Sequence, residues 1–306
     1  MTLVIAESAS TYSVMVSDRL TTKWRGTNLI GRFDEVANKT VVFLSGTEGV
    51  AIGYTGNAFL ERMPTDEWIA QQLWGDAFML GPHGDSYAMY MGPPKVRRSV
   101  PQALFHLQAR LAATRGGQGV TLLATGWRRR RGRLTPLLVT ITARRNRRTQ
   151  ADMRMRRPTS LLSRRASVGA SLTATVAVPS MPGLHPVRAL GQGLAAAIRN
   201  VSRTDRTVGP HVMQVLMIPG QVVCEFLPEA EHVIRFGDLK PSLAVPTAYS
   251  PWILSDGGYV PPQLIGGGPV RVPGGGWLIT MAGARPLQAA GAPAAFVYSQ
   301  RRPKAP

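Results

Sequence analysis

One cysteine, five histidines and seventeen acids are all that this 306-residue chain offers of the side chains that build disulfides, metal sites and acidic surfaces. With Cys224 alone, an intrachain disulfide is impossible and a cysteine metal cluster is excluded. The histidines show no paired ligand spacing, so neither a metal nor any other cofactor is expected. No apolar run reaches the roughly eighteen residues of a membrane helix, and the start of the chain lacks the basic segment and long apolar core of a leader. A cytoplasmic protein with no membrane association is therefore expected.

The acids are outnumbered by 36 lysines and arginines, giving a net charge of +19. Most of the excess lies in one central segment: Arg128 to Arg131 and Arg133, Arg144, Arg145, Arg147 and Arg148, then Arg154, Arg156 and Arg157, and Arg164 and Arg165. Such charge invites a polyanion. The clusters surround turn residues such as Gly132, however, and Trp127 is their one neighbouring aromatic, so the segment reads as a solvated surface rather than a nucleic-acid interface.

What the chain does have is an unusual opening. Thr2 follows Met1 directly, and so small a second residue normally lets the methionine be trimmed, leaving Thr2 with an α-amine. Such a threonine carries nucleophile and base in one residue: its hydroxyl can attack a carbonyl while the amine, of reference pKa about 7.7 to 8, takes the proton.

Leu3 to Ala6 and Tyr12 to Ser17 are apolar, strand-like runs about a Ser/Thr turn. Folded about Ser10, this hairpin sets Thr2 opposite Asp18. Lys39 to Leu44 and Val50 to Tyr54 form a second hairpin about Thr47, which sets Gly53 opposite Val41 and near Lys39. Side by side, the two hairpins gather a nucleophile, an acid, a lysine and a glycine N–H at one sheet end.

That constellation resembles the proteasome β-subunit family of N-terminal-nucleophile hydrolases. An Asp sixteen residues after the nucleophilic Thr and a Gly fourteen residues after the Lys match the family's order, with an insertion falling in the loop Lys23 to Asn28. The resemblance continues in Gly126-Trp127 at a strand end and in Ser167-Val168-Gly169, although the family's assisting serine aligns with Ala170, and only a shift of one brings in Ser171. It extends to Asp205 and Gly209, with Val208 where a second serine is expected. Implied by the resemblance are an α+β fold arranged as a four-layer αββα sandwich and catalytic roles for Thr2, Asp18, Lys39, Gly53, Asp205 and Ser171. Also implied are a peptide or protein substrate and assembly into a homo-oligomeric ring or a dimer, with any ATPase partner unspecified.

Elsewhere, Thr65 to Trp74 and Ser99 to Gly116 read as helices flanking a long loop from Gly75 to Arg98. A third helix starts at Pro186, with Val187, Leu190, Leu194, Ile198 and Val201 on one face. The hydrolase-like domain is expected over residues 1–228, and 229–306 as a Pro/Gly-rich arm whose Trp252, Tyr259 and Trp277 are too apolar for a solvated linker. Three readings follow: an N-terminal-threonine amide hydrolase, a catalytically silent ring or scaffold subunit of the same fold, and a polyanion-binding protein working through its arginines.

Overall fold

The computed structural model describes residues 2–25, 28–34, 37–75, 90–91, 93–143, 151–156, 163–170, 186–227, 250–262, 269–271 and 278–282. The chain is mixed α/β and sheet-rich, with three α-helices among the described residues. In chain order the elements begin with β1 (Leu3–Ser8), β2 (Ser13–Asp18), β3 (Thr21–Arg25), β4 (Asn28–Asp34), β5 (Thr40–Ser45) and β6 (Glu48–Gly56). Two short strands, β7 (Phe59–Leu60) and β8 (Met63–Pro64), lead into α1 (Thr65–Trp74), followed by β9 (Tyr90–Met91) and α2 (Val100–Ala113). Next come β10 (Val120–Arg130), β11 (Arg133–Ala143), β12 (Ala151–Arg156), β13 (Arg164–Gly169), α3 (Pro186–Ser202), β14 (Val212–Ile218) and β15 (Gln221–Leu227). The last strands are β16 (Trp252–Ser255), β17 (Gly258–Val260), β18 (Pro269–Arg271) and β19 (Leu278–Ala282).

Two large sheets carry the fold, in the orders β13-β1-β2-β14-β15-β19-β18 and β12-β11-β10-β6-β5-β16-β17-β9. Their pairings are antiparallel except β15 with β19 and β5 with β16. The apolar runs of β1, β2, β5 and β6 lack polar alternation because both faces of these strands are buried. On β1, Val4 and Ala6 join Met15, Ala51, Leu123 and Val215 in one cluster, while Leu3 and Ile5 turn the other way to meet Leu190, Leu194 and Ile198 of α3. The outward face of the second sheet, with Val41, Phe43 and Ile52, meets Trp68 and Leu73 of α1 and Leu104 and Leu107 of α2. The apolar stripe expected on α3 is the face it buries, with Leu190, Leu194, Ile198 and Val201 all in the core and Val187 at its margin.

The hairpin registers differ by one residue from those expected. β1 and β2 are joined by four residues, so Val4 pairs with Ser17 and it is Leu3, not Thr2, that comes level with Asp18. The turn between β5 and β6 holds two residues, Gly46 and Thr47, so Gly53 pairs with Thr40 rather than Val41. An even loop makes paired numbers sum to an odd value, and turn type sets the register. The expected loop Lys23 to Asn28 is instead mostly strand, since β3 and β4 form their own two-stranded hairpin. Arg128, Arg129 and Arg130 are likewise strand residues of β10, leaving Arg131 and Gly132, both at positive φ, as the turn into β11.

Candidate active site

Thr2, Asp18 and Lys39 converge at one end of the paired hairpins. Lys39 enters from the start of β5 and donates from Nζ to Thr2 Oγ1 at 2.9 Å, to Asp18 Oδ1 and Oδ2 at 3.2 and 3.1 Å, and to the Leu20 carbonyl. An ammonium has three protons and no acceptor. Here it meets three groups, so the threonine oxygen accepts and its own hydroxyl proton is directed elsewhere.

Asp18 accepts from the Leu3 N–H on Oδ1 and from the Leu20 and Gly209 N–H groups on Oδ2. Only an ionised carboxylate can accept so many donors on both oxygens. The three side chains are 5% (Thr2), 0% (Asp18) and 1% (Lys39) exposed, so these interactions act in a medium that screens them far less than water does. Burial pushes the Lys39 ammonium below its ordinary range, opposed chiefly by the charge and hydrogen bonds of Asp18. The neighbouring Arg19 is fully buried too, and its pKa is lowered by burial to about 10.

The Thr2 backbone is pinned from the end of the neighbouring strand β13 and from β6 of the other sheet. The Thr2 carbonyl accepts from the Ala170 N–H at 3.0 Å and from Thr55 Oγ1 at 3.1 Å. Gly169 makes this approach possible: at φ 99° any side chain is strained, and a Cβ there would lie 1.6 Å from the Thr2 oxygen. Ser171 lies outside the described residues. Ala170 and Val208, at the two positions where the resemblance calls for serines, are buried without a hydroxyl.

Gly53 is not placed where the spacing put it. It lies mid-strand, paired with Thr40 and Leu123, and its Cα hydrogens face Val4 and Met15 between the sheets. The Tyr54 N–H bonds back to the Lys39 carbonyl, and the Asn57 N–H bonds to Gly119 on the opposite side. Alternation therefore sends the Gly53 N–H toward β10 and the Gly56 N–H to the Lys39 side, past the start of β5. Gly56, three residues further on, is the glycine that lines the cavity at Thr2. That cavity, about 340 Å³, is bounded also by Leu20 to Lys23, by Phe33 of β4, and by Asn57 to Phe59. Phe33 and Phe59 meet edge to face across it, with ring centroids 5.9 Å apart. Nothing in residue spacing marks this wall, because the β3–β4 hairpin lacks regular alternation of polar and apolar residues.

Asp205 is not part of the cluster. Its Oδ1 accepts from the N–H and the hydroxyl of Thr207, an Asx turn that presents Gly209 to Asp18. The arginines of the β10–β11 tip lie at the other end of β10 from Val120 and Gly56, roughly 30 Å away by strand rise. Glu48, at this end of the sheet, accepts from the backbone N–H groups of Arg129 and Val100. Residues 144–150 and 157 of the basic segment, and most of the expected loop from Gly75 to Arg98, lie outside the described residues.

A buried relay backs the lysine. Asn38 donates to Asp66 Oδ2 at 3.0 Å, Trp252 Nε1 donates to the same oxygen at 3.2 Å, and the Asn38 carbonyl accepts from Tyr54 Oη. Trp252→Phe keeps an aromatic ring in the site but removes that donor from a buried carboxylate together with part of the indole's volume. Its expected cost is about 1.5 to 3 kcal/mol, read as a lower denaturation midpoint. An unchanged midpoint would show that the indole N–H carries none of the stability.

Among the described residues no group of His, Cys, Asp and Glu is placed to hold a metal ion, and no helix is long and apolar enough to cross a membrane. No family model matches the chain, and no curated protein matches it. Solved structures similar to it include Anbu (ancestral beta-subunit) from Yersinia bercovieri, 15% identical over 70% of this chain and 81% of that one, with a TM-score of 0.45. Two others are an Anbu (Gly-1) mutant and Anbu itself from Hyphomicrobium sp. strain MC1. The mutant is 13% identical over 71% of this chain and 82% of that one at a TM-score of 0.44, and the second is 11% identical over 70% and 82% at 0.42.

Proposed function

We propose that the chain is an N-terminal-threonine amide hydrolase, a proteasome-like peptidase subunit on a four-layer αββα sandwich. The observation that carries this reading is the Lys39 ammonium 2.9 Å from Thr2 Oγ1, with Asp18 holding it from the other side. The reading requires everything ahead of Thr2 to be removed, because an amide nitrogen cannot serve as base.

In the proposed reaction Thr2 Oγ attacks the substrate carbonyl carbon and its proton passes to the Thr2 amine. Lys39 stabilises the charge that develops on Oγ, and Asp18 keeps the lysine protonated and oriented. The Gly56 N–H, directed to the Lys39 side of β6, meets the oxyanion, a donor of a kind whose loss typically costs about 2.7 to 4 kcal/mol. The C–N bond then breaks, the amine returns its proton to the leaving nitrogen, and water hydrolyses the Thr2 ester. The apolar side of the cavity, with Leu20, Phe33 and Phe59, suits an apolar substrate side chain.

The test is covalent labelling by a β-lactone, located by peptide mass spectrometry, together with the pH dependence of hydrolysis. Labelling is expected on Thr2 alone. Activity should rise with pH as the amine loses its proton, from a reference of about 7.7 to 8, and fall again as Lys39 loses its own, below the ordinary 10.5 because burial lowers it. Activity still rising beyond pH 10.5 would remove the lysine from the mechanism.

The silent-subunit reading has one observation in its favour: Ala170 and Val208 supply no assisting hydroxyl. Failure of the labelling experiment on a chain beginning at Thr2 would establish it.

A further inference from the structure

A second cavity, of about 360 Å³, lies between the β3–β4 hairpin and the loop that follows α3. Leu29, Ile30, Val208 and Pro210 supply the apolar part of its lining and Arg32, Arg203 and Arg206 the cationic part, with Arg203 and Arg206 exposed. Leu29 and Ile30, at 36% and 55% exposed, are two of the five large apolar side chains that the described residues leave open to water. The one acid in this loop, Asp205, accepts from the N–H and the hydroxyl of Thr207. A lining that mixes apolar side chains with cations suits a ligand that carries an apolar chain and an anionic group, and this volume falls within the ligand-pocket range.

Both walls are rooted in the Thr2 site. Val208 and Pro210 flank Gly209, whose N–H donates to Asp18 Oδ2 at 3.0 Å. Gly209 lies so close to Leu20 that a Cβ on it would come within 2.7 Å of the Leu20 Cβ, and the Leu20 carbonyl accepts from Lys39. The hairpin that supplies Leu29 and Ile30 begins at Thr21, the next residue.

We propose that this cavity binds a small aliphatic carboxylate, its chain against Leu29, Ile30 and Val208 and its carboxylate on Arg203 and Arg206. Occupancy fixes the Gly209 turn against Asp18 and so alters the reactivity of Thr2. The binding stands on the cavity itself, whereas its effect on Thr2 rests on the hydrolase reading.

Binding is measured first on Thr2→Ala protein, by saturation-transfer NMR and calorimetry with octanoate, octanol, octylamine and N-acetyl-leucine. Octanoate is expected to bind, and the Arg203→Ala/Arg206→Ala double variant to lose at least about tenfold in affinity through its missing charge-assisted bonds. An Ile30→Asp variant should lose octanoate as well. Octanol or octylamine binding as tightly as octanoate, or an unaffected double variant, would overturn the proposal. Binding of N-acetyl-leucine in preference to octanoate would overturn it in favour of a peptide C-terminus.

On wild-type protein beginning at Thr2, saturating octanoate should change the rate of β-lactone labelling, and the double variant should remove that dependence. Octanoate binding with an unchanged labelling rate would sever the link to Thr2. Absence of labelling with and without octanoate would instead defeat the hydrolase reading while the binding site stood.

Discussion

Thr2→Ala protein is expected to fold and to hydrolyse nothing. The substitution removes one hydrogen bond of Lys39, which keeps Asp18 and the Leu20 carbonyl, so stability should change by only about 1 kcal/mol. Turnover of a peptide panel should fall by about 10⁴-fold or more, the scale seen when a nucleophile is deleted from a working constellation. Thr2→Ser, which keeps a hydroxyl and an amine, should retain measurable activity. Adding residues ahead of Thr2 should abolish it as completely as Thr2→Ala, since the nitrogen becomes an amide. Intact mass of untagged protein supplies the complementary measurement: a chain that retains Met1 in its active form contradicts the mechanism.

The second large effect is expected from Asp18. In Asp18→Ala the ammonium of Lys39 stays buried without its counter-charge, and the N–H groups of Leu3, Leu20 and Gly209 lose their acceptor. Breaking a buried pair by removing one partner costs about 3 to 5 kcal/mol, and the orphaned amides add to that. Lys39 also loses its largest influence toward the charged form, so it should turn neutral at a lower pH and shift the alkaline limb of activity downward. Because three backbone segments move when the carboxylate goes, a rate loss of about 10²-fold is expected even at full folding. Urea unfolding followed by tryptophan fluorescence, run beside single-turnover labelling, separates the two effects. A variant as stable as wild type would mean that Asp18 does not balance the lysine.

The meeting of Thr2, Asp18 and Lys39 could be read from residue order because it needs only two hairpins lying side by side, and apolar runs mark hairpins well. Register was a different matter. Loop length decides it, and neither the Ser8 to Tyr12 stretch nor Ser45 to Glu48 announces which residues leave the ladder. Gly53 sits in the ladder between Thr40 and Leu123 with its N–H toward β10, which leaves Gly56 at the cavity. Asp205 is a site residue only by what the resemblance implies, and its carboxylate shapes its own turn. The β3–β4 hairpin was hidden by Lys23, Arg25 and Asn28, which lack the alternation of a half-buried strand. Trp252 to Leu254 stood out only as apolar residues in a Pro/Gly-rich region. Nothing local tells a strand that its partner is β5, more than two hundred positions upstream.

That last pairing bears on when the protein becomes competent. Trp252 reaches Asp66 across 186 residues of chain, and β16 enters beside the strand that starts one residue after Lys39. Contacts so distant in sequence form late and slowly, after the entropy of closing the intervening loop has been met. On a chain emerging from the ribosome N-terminus first, the hairpins bearing Thr2, Asp18 and Lys39 appear early, while β16 and β19 arrive about two hundred residues later. Nascent chains therefore pass through a stage in which the second sheet ends at β5, with its edge uncovered and the Asn38–Asp66 relay lacking its indole. Assembly of the lysine's surroundings is in effect timed by translation, so the site is finished only after β16 has been made.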